Sequence, residues 1–84
     1  MVYTRRNKGT CSSSTTVKIE NGILESVAFV GGCDGNLKGI CALCAGRPAE
    51  EVIQKLKGIR CGRKPTSCPD QLAQALEEAM AEQN

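Results

Sequence analysis

The chain carries six cysteines and no histidine in 84 residues. The cysteines are therefore the side chains with chemistry of their own, since thiolates bind soft metals or attack electrophiles. Cys11, Cys33, Cys61 and Cys68 stand far apart, whereas Cys41 and Cys44 form "CALC", the one CxxC. The densest stretch is "RCGRKPTSCPDQLAQAL", Arg60 to Leu76, where two thiols lie beside three cations and then an apolar, periodic segment begins. A thiol at a helix start next to cations tends toward the thiolate.

Four thiolates suit tetrahedral zinc or an iron-sulfur cluster, and they argue against a hard-oxygen site for magnesium or calcium. The expected ligands are Cys11, Cys33, Cys61 and Cys68. A zinc ion held by four thiolates carries a net charge of minus two. Arg60, Arg63, Lys64 and the helix-start amides near Cys68 are placed to offset it. A second reading is a thiol relay with Cys68 as nucleophile and Cys61 as its resolving thiol, acting on a partner protein. A third is an interaction domain whose thiols are inert.

"CALC" invites a thioredoxin-type reading, but such motifs work at a helix N-terminus, where the dipole lowers the thiol pKa. Here the pair falls late in a helix on its apolar face, and the expectation is two core cysteines behaving as small hydrophobes.

Other chemistries are poorly served. No Ser-His-Asp or Cys-His arrangement exists without histidine, and no phosphate-cradling GxxxxGK followed by Ser or Thr is present. Catalysis by the chain alone is not expected. The formal charge of +2 is too small to argue for nucleic acid, which needs a concentrated basic face. The cations are nevertheless unevenly placed, with Arg5, Arg6 and Lys8 in an N-terminal arm and Lys55, Lys57, Arg60, Arg63 and Lys64 in a run without acids. Both read as solvated basic segments. No apolar run approaches the ~20 residues of a membrane span, and the N-terminus lacks a signal-peptide core. The chain reads as cytoplasmic, where thiols are kept reduced and six cysteines serve as ligands, redox groups or small hydrophobes rather than as a disulfide framework.

Several elements must bring the distant cysteines together. Val17 to Ile19, the dipeptide Asn21-Gly22 and Ile23 to Val30 form a hairpin signal, because a type I′ turn needs positive φ at both central residues. That turn sets Ile19 opposite Leu24 and Lys18 opposite Glu25. The core face is ambiguous: Ile23, Val27 and Phe29 point one way, Leu24, Ala28 and Val30 the other. Tyr3 to Lys8 is a candidate third strand, and "SSSTT" after Cys11 reads as an exposed lead-in to the hairpin.

"GGCDGN" ends the sheet and puts Cys33 in a sharp turn. Leu37, Ile40, Cys41 and Cys44 then share one face of a short helix, whose interior Gly39 points to close packing or a frayed start. A second helix starts at Pro48 and buries Ala49, Val52, Ile53 and Leu56, with Gly58 just beyond it. The last helix opens in "TSCPD", where Ser67 and Asp70 have capping-box spacing and Pro69 suits the first turn. Leu72, Ala75, Leu76 and Ala79 face the core. Residues 1–84 thus read as a single α+β domain: a small antiparallel sheet, the hairpin plus a possible third strand, covered on one face by about three helices. At this length a metal is a fitting supplement to a small core.

"GGCDGNLKGI", "LKGIRCGR" and "PTSCPDQLAQAL" closely resemble the TSCPD domain family, in order and spacing, from about Tyr3 to Met80. The resemblance places the family's motif cysteines on Cys11, Cys33, Cys61 and Cys68; Cys41 and Cys44 depart from the pattern. The same domain occurs near the C-terminus of adenosylcobalamin-dependent ribonucleotide reductases, which implies a link to deoxynucleotide synthesis and ribonucleotide reductase as a partner. The chain is too short to be such a reductase itself. A weaker resemblance, carried by "NGILESVAFVGGC" and "SCPDQLAQAL", is to iron-sulfur scaffold proteins of the IscU/NifU type. It implies an IscU/NifU-like fold with Cys11, Cys33 and Cys68 as cluster ligands and Cys61 as a fourth. Ser12 and Ser13 stand where a scaffold has a nearby Asp, and the chaperone-docking Pro-Pro motif is missing.

Overall fold

The structure, a computed structural model, describes residues 1–83. Its elements run β1 (Val2–Arg6), β2 (Ser12–Glu20), β3 (Ile23–Gly31), α1 (Asp34–Cys44), β4 (Arg47–Pro48), α2 (Ala49–Leu56) and α3 (Cys68–Gln83). This is the expected α+β arrangement, a small antiparallel sheet packed against three helices, but with four strands in the order β1-β2-β3-β4. The third strand is β1, one residue earlier than read and ending at Arg6. The fourth, β4, pairs Ile23 with Pro48 and Leu24 with Arg47. Two residues leave no periodicity to read, which is why the sequence did not announce it.

The hairpin turn forms as its residues dictate, with Asn21 at φ 52° and Gly22 at φ 76°. Ile19 opposes Leu24 as expected, but Lys18 faces Ser26 rather than Glu25 because the register slips between Lys18 and Ile19. Glu25 is the extra residue of a β-bulge. A bulge reverses the in-out alternation, so Leu24 joins Val27 and Phe29 on one face, and the ambiguity over the core side disappears. The Lys18–Glu25 ion pair survives at 3.5 Å between exposed side chains.

A second slip, between Ser12 and Ser14, makes Ser13 a bulge in β2. It turns Ser12 to the inner face with Thr15, Val17 and Ile19, all of them buried. "SSSTT" is therefore not the exposed lead-in expected from its polarity: Ser12 and Thr15 are inside.

The dry core lies between that face and the helices. Val17, Ile19 and Leu24 pack with Cys44, Ala49, Val52, Leu72, Leu76 and Ala79. All four residues assigned to the inner face of α3, Leu72, Ala75, Leu76 and Ala79, are fully buried. Fully burying a Leu-sized side chain contributes roughly 1.5–3 kcal/mol, and near-absence of aromatics leaves this work to aliphatics.

Sheet and helices are also joined by polar contacts at β1. Arg5 was expected in a solvated arm; its side chain is instead only 15% exposed and pairs with Glu78 at 2.8 Å, also donating to Gln71 and Gln74. Tyr3 donates to Glu78 as well. Of the basic run, Lys55 pairs with Glu51 and Lys57 with Glu77, so acids from elsewhere in the chain neutralise two of its five cations.

Between β3 and α1 the chain turns on Gly31 (φ 78°) and Gly32 (φ 82°). At Gly32 the space is also full: a Cβ would lie 2.8 Å from Leu37 Cδ1 and 3.2 Å from Ser12 Cβ. Cys33 follows immediately as the N-cap residue of α1.

Candidate functional site

Cys11, Cys33, Cys61 and Cys68 all line one cavity of about 540 Å³ at the end of the sheet. Each arrives from a different element end. Cys11 closes the loop from β1 into β2, Cys33 caps α1, Cys61 lies in the loop after α2, and Cys68 is the first residue of α3. Leu37, Ile40, Leu43 and Pro69 give the cavity apolar walls, and Lys64 adds a cation. Gly39 of α1 lines it too, with nothing within 4 Å of where a Cβ would stand. Neither close packing nor fraying accounts for this glycine; it leaves open space on the cavity side of the helix.

Within the cavity the four thiols are not equivalent. The sulfurs of Cys11 and Cys68 are 3.9 Å apart. Cys33 and Cys61 stand on the walls, and among the described residues no three Cys, Asp, Glu or His side chains gather closely enough to enclose an ion. The thiol in contact with Cys68 is thus Cys11, not the Cys61 named by the relay reading. Cys68 is buried, whereas Cys11, Cys33 and Cys61 are exposed.

Cys68 is held in place by a cap and a hydrogen-bond chain. Ser67 is the residue before α3, and its hydroxyl accepts from the Asp70 N–H at 3.1 Å while donating to the Ile59 carbonyl at 2.7 Å. Asp70 does not return the bond to Ser67, as a full capping box would. Its carboxylate accepts from Gly58 N–H at 2.7 Å, from the Thr66 hydroxyl and from the Gln74 amide. The 58–66 loop bearing Cys61 is thereby tied to the start of α3. Burial pushes the Asp70 carboxyl up, but those donors and the charge of Arg5 outweigh it and hold it below its ordinary value.

The chain on the other side starts at Thr15. Its hydroxyl donates to Asn7 Oδ1 at 2.8 Å, fixing the amide so that Asn7 Nδ2 donates to Ser12 Oγ, also at 2.8 Å. Ser12 Oγ also stands 2.9 Å from Cys68 Sγ, and its proton, not used in the bond that Asn7 donates, is available to that sulfur. Burial pushes the Cys68 thiol up, yet hydrogen bonds from the Ser12 hydroxyl, the Ser12 N–H and the Cys11 thiol prevail, and the net direction is downward. The Thr10 hydroxyl has one proton, and the Ser12 carbonyl at 2.8 Å takes it, so we assign the effect to Ser12 and Cys11.

Asn7, Ser12 and Thr15 were not singled out from sequence. The available signal was a run of hydroxyl residues directly after a cysteine, at the start of a strand; the bulge that turns it inward left no mark.

The CxxC pair sits elsewhere, as its apolar face predicts. Cys44 is 8% exposed within the aliphatic core and Cys41 is half-buried. Desolvation pushes both thiols up, the behaviour of small hydrophobes rather than of a redox motif.

A sequence model of the TSCPD domain matches residues 1–80. The chain belongs to the TSCPD domain family. Comparison with curated proteins and with solved structures gives no match. The "TSCPD" stretch, Thr66 to Asp70, is thus the segment that caps α3, ties down the preceding loop and delivers Cys68 to the cavity. No helix among the described residues is long and apolar enough to cross a membrane.

Proposed function

We propose that this TSCPD protein is a cysteine-ligated metal-binding module in which Cys11, Cys33, Cys61 and Cys68 hold one zinc ion or iron-sulfur cluster. The observation that carries the reading is the shared cavity walled by all four thiols. The donor set fits: four sulfurs and no imidazole suit zinc or iron. Two thiolates on a tetrahedral zinc, at about 2.3 Å each, lie about 3.8 Å apart, close to the 3.9 Å between Cys11 and Cys68. This spacing favours one ion shared by the pair, and zinc over a cubane cluster.

Cys33 and Cys61 complete the set by moving inward from their loops. Cys33 is the N-cap of α1 and Cys68 opens α3, so a metal centre of net negative charge would sit against the positive ends of two helices, and Lys64 adds a cation at the wall. The ion would contribute folding free energy by cross-linking four segments of the chain at the cavity. The occurrence of the domain in adenosylcobalamin-dependent ribonucleotide reductases supports an accessory role in deoxynucleotide synthesis, in the cytoplasm, with that reductase as partner.

Metal analysis and an absorption spectrum of untagged protein purified without oxygen test the reading. One zinc per chain and a colourless solution is the expected result; a brown, iron-containing protein keeps the site but makes it a cluster. Protein with no metal, still unable to bind zinc after reduction, overturns the reading and leaves the thiol-relay and inert-thiol interaction domain readings.

A further inference from the structure

We propose that Cys11 and Cys68 form a reversible dithiol-disulfide couple that exchanges with anionic low-molecular-weight disulfides entering the cavity. The inference uses only the contact between two sulfurs and does not depend on a bound metal. Of all thiols among the described residues, these are the two whose sulfurs stand in contact, 3.9 Å apart. A disulfide needs about 2.05 Å, and Cys11 lies on the loop into β2 with its side chain exposed, so the closing movement falls to Cys11 rather than to the buried Cys68.

Exposure assigns the order of events. Cys11 faces solvent and meets the substrate first, while Cys68 is 8% exposed behind it. Cys11, as thiolate, attacks one sulfur of the substrate, forming a mixed disulfide and expelling one thiolate. Cys68 then attacks the Cys11 sulfur, the mixed bond breaks, and the second substrate thiolate leaves. Two electrons pass from the protein dithiol to the substrate, and the two protein thiol protons end on the two released thiols. Ser12 and Asn7 keep Cys68 Sγ directed at this position. Lys64 on the cavity wall favours a negatively charged substrate, and Leu37, Ile40 and Leu43 give its apolar part a surface to rest on.

The test uses the full chain, reduced and chelated, treated with oxidised glutathione, quenched with an alkylating reagent and mapped by peptide mass. The expected result is loss of two of the six free thiols, with Cys11 linked to Cys68 and little glutathione retained. In Cys68→Ser the resolving step is removed, so glutathione stays on Cys11. The same reaction in urea is the control. An unfolded chain favours short loop closures, so Cys41–Cys44 and Cys61–Cys68 links should dominate there, and Cys11–Cys68, 57 residues apart, should not. A folded-state map dominated by Cys61–Cys68, lasting glutathionylation of Cys11 in the unsubstituted chain, or a map identical to that in urea overturns the couple. Absence of metal with a Cys11–Cys68 link sinks only the metal reading; bound metal without that link after chelation sinks only this one.

Discussion

Cys41 and Cys44 are one turn apart on α1, while Cys11 and Cys68 are separated by 57 residues yet bring their sulfurs to 3.9 Å. Cys44 of the near pair lies in the aliphatic core and Cys41 is half-buried beside it, and desolvation raises both thiols. The distant pair meets where a helix start, a β-bulge and a buried amide converge, and there the direction reverses at Cys68. Identical side chains acquire opposite character because the neighbours differ, and spacing along the chain says little about which pair is chemically active.

The largest effect that would sharpen this contrast is ligand loss. On the proposed metal reading, Cys68→Ser or Cys11→Ser should release zinc and lower the melting temperature by about 10 °C or more, whereas Cys41→Ser should leave zinc binding intact. Metal content and differential scanning fluorimetry read both; retained metal in either of the first two variants breaks the comparison.

Next comes Asp70, whose carboxylate accepts two hydrogen bonds from the loop and one from Gln74 within α3. Asp70→Ala should cost about 3 kcal/mol by urea titration, since bonds to a charged group are the strong ones. The pH dependence has a definite sign. Because the folded carboxyl lies below its ordinary value, its contribution is complete above that ordinary value and fades as pH falls through the depressed folded one. Melting curves between about pH 2 and 6 should show a steeper acid decline in the unsubstituted protein than in Asp70→Asn.

Cys44→Ser places a hydroxyl among aliphatics and should cost about 2 kcal/mol without metal loss, the mirror image of the first experiment. Ser12→Ala removes the donor at Cys68 and the acceptor of Asn7, for about 1 kcal/mol; alkylation of metal-free protein near neutral pH should slow at Cys68 and stay unchanged at Cys41. The smallest change is Cys41→Ser itself, half-buried and outside the aliphatic cluster, within about 0.5 kcal/mol of the parent.

Much of the fold was legible because it follows local rules. Asn21-Gly22 dictates its turn, Pro48 and Gly58 bracket α2, and Leu72, Ala75, Leu76 and Ala79 recur at helical spacing and are all buried. The four cavity cysteines stood out for their positions at element ends. The bulges at Ser13 and Glu25 were not legible, since one extra residue changes which face a strand buries without any distinctive residue type. Arg5 looked solvated because its acid, Glu78, is 73 residues away. For the same reason the partner of Cys68 was misplaced: Cys61 is near in the chain, but α3 lays its first residue against the start of β2.

Gly32 joins these threads. An added carbon there would strike Leu37 and Ser12 at once, and those two residues belong to the packing of α1 and to the polar arm that reaches Cys68. A single methyl would have to push the Leu37 side chain aside and crowd Ser12 Cβ, at a positive φ that strains any L side chain, so the disturbance begins at α1 and beside Cys68 together. Architecture and reactivity in this small protein therefore share a hinge point too narrow for any side chain.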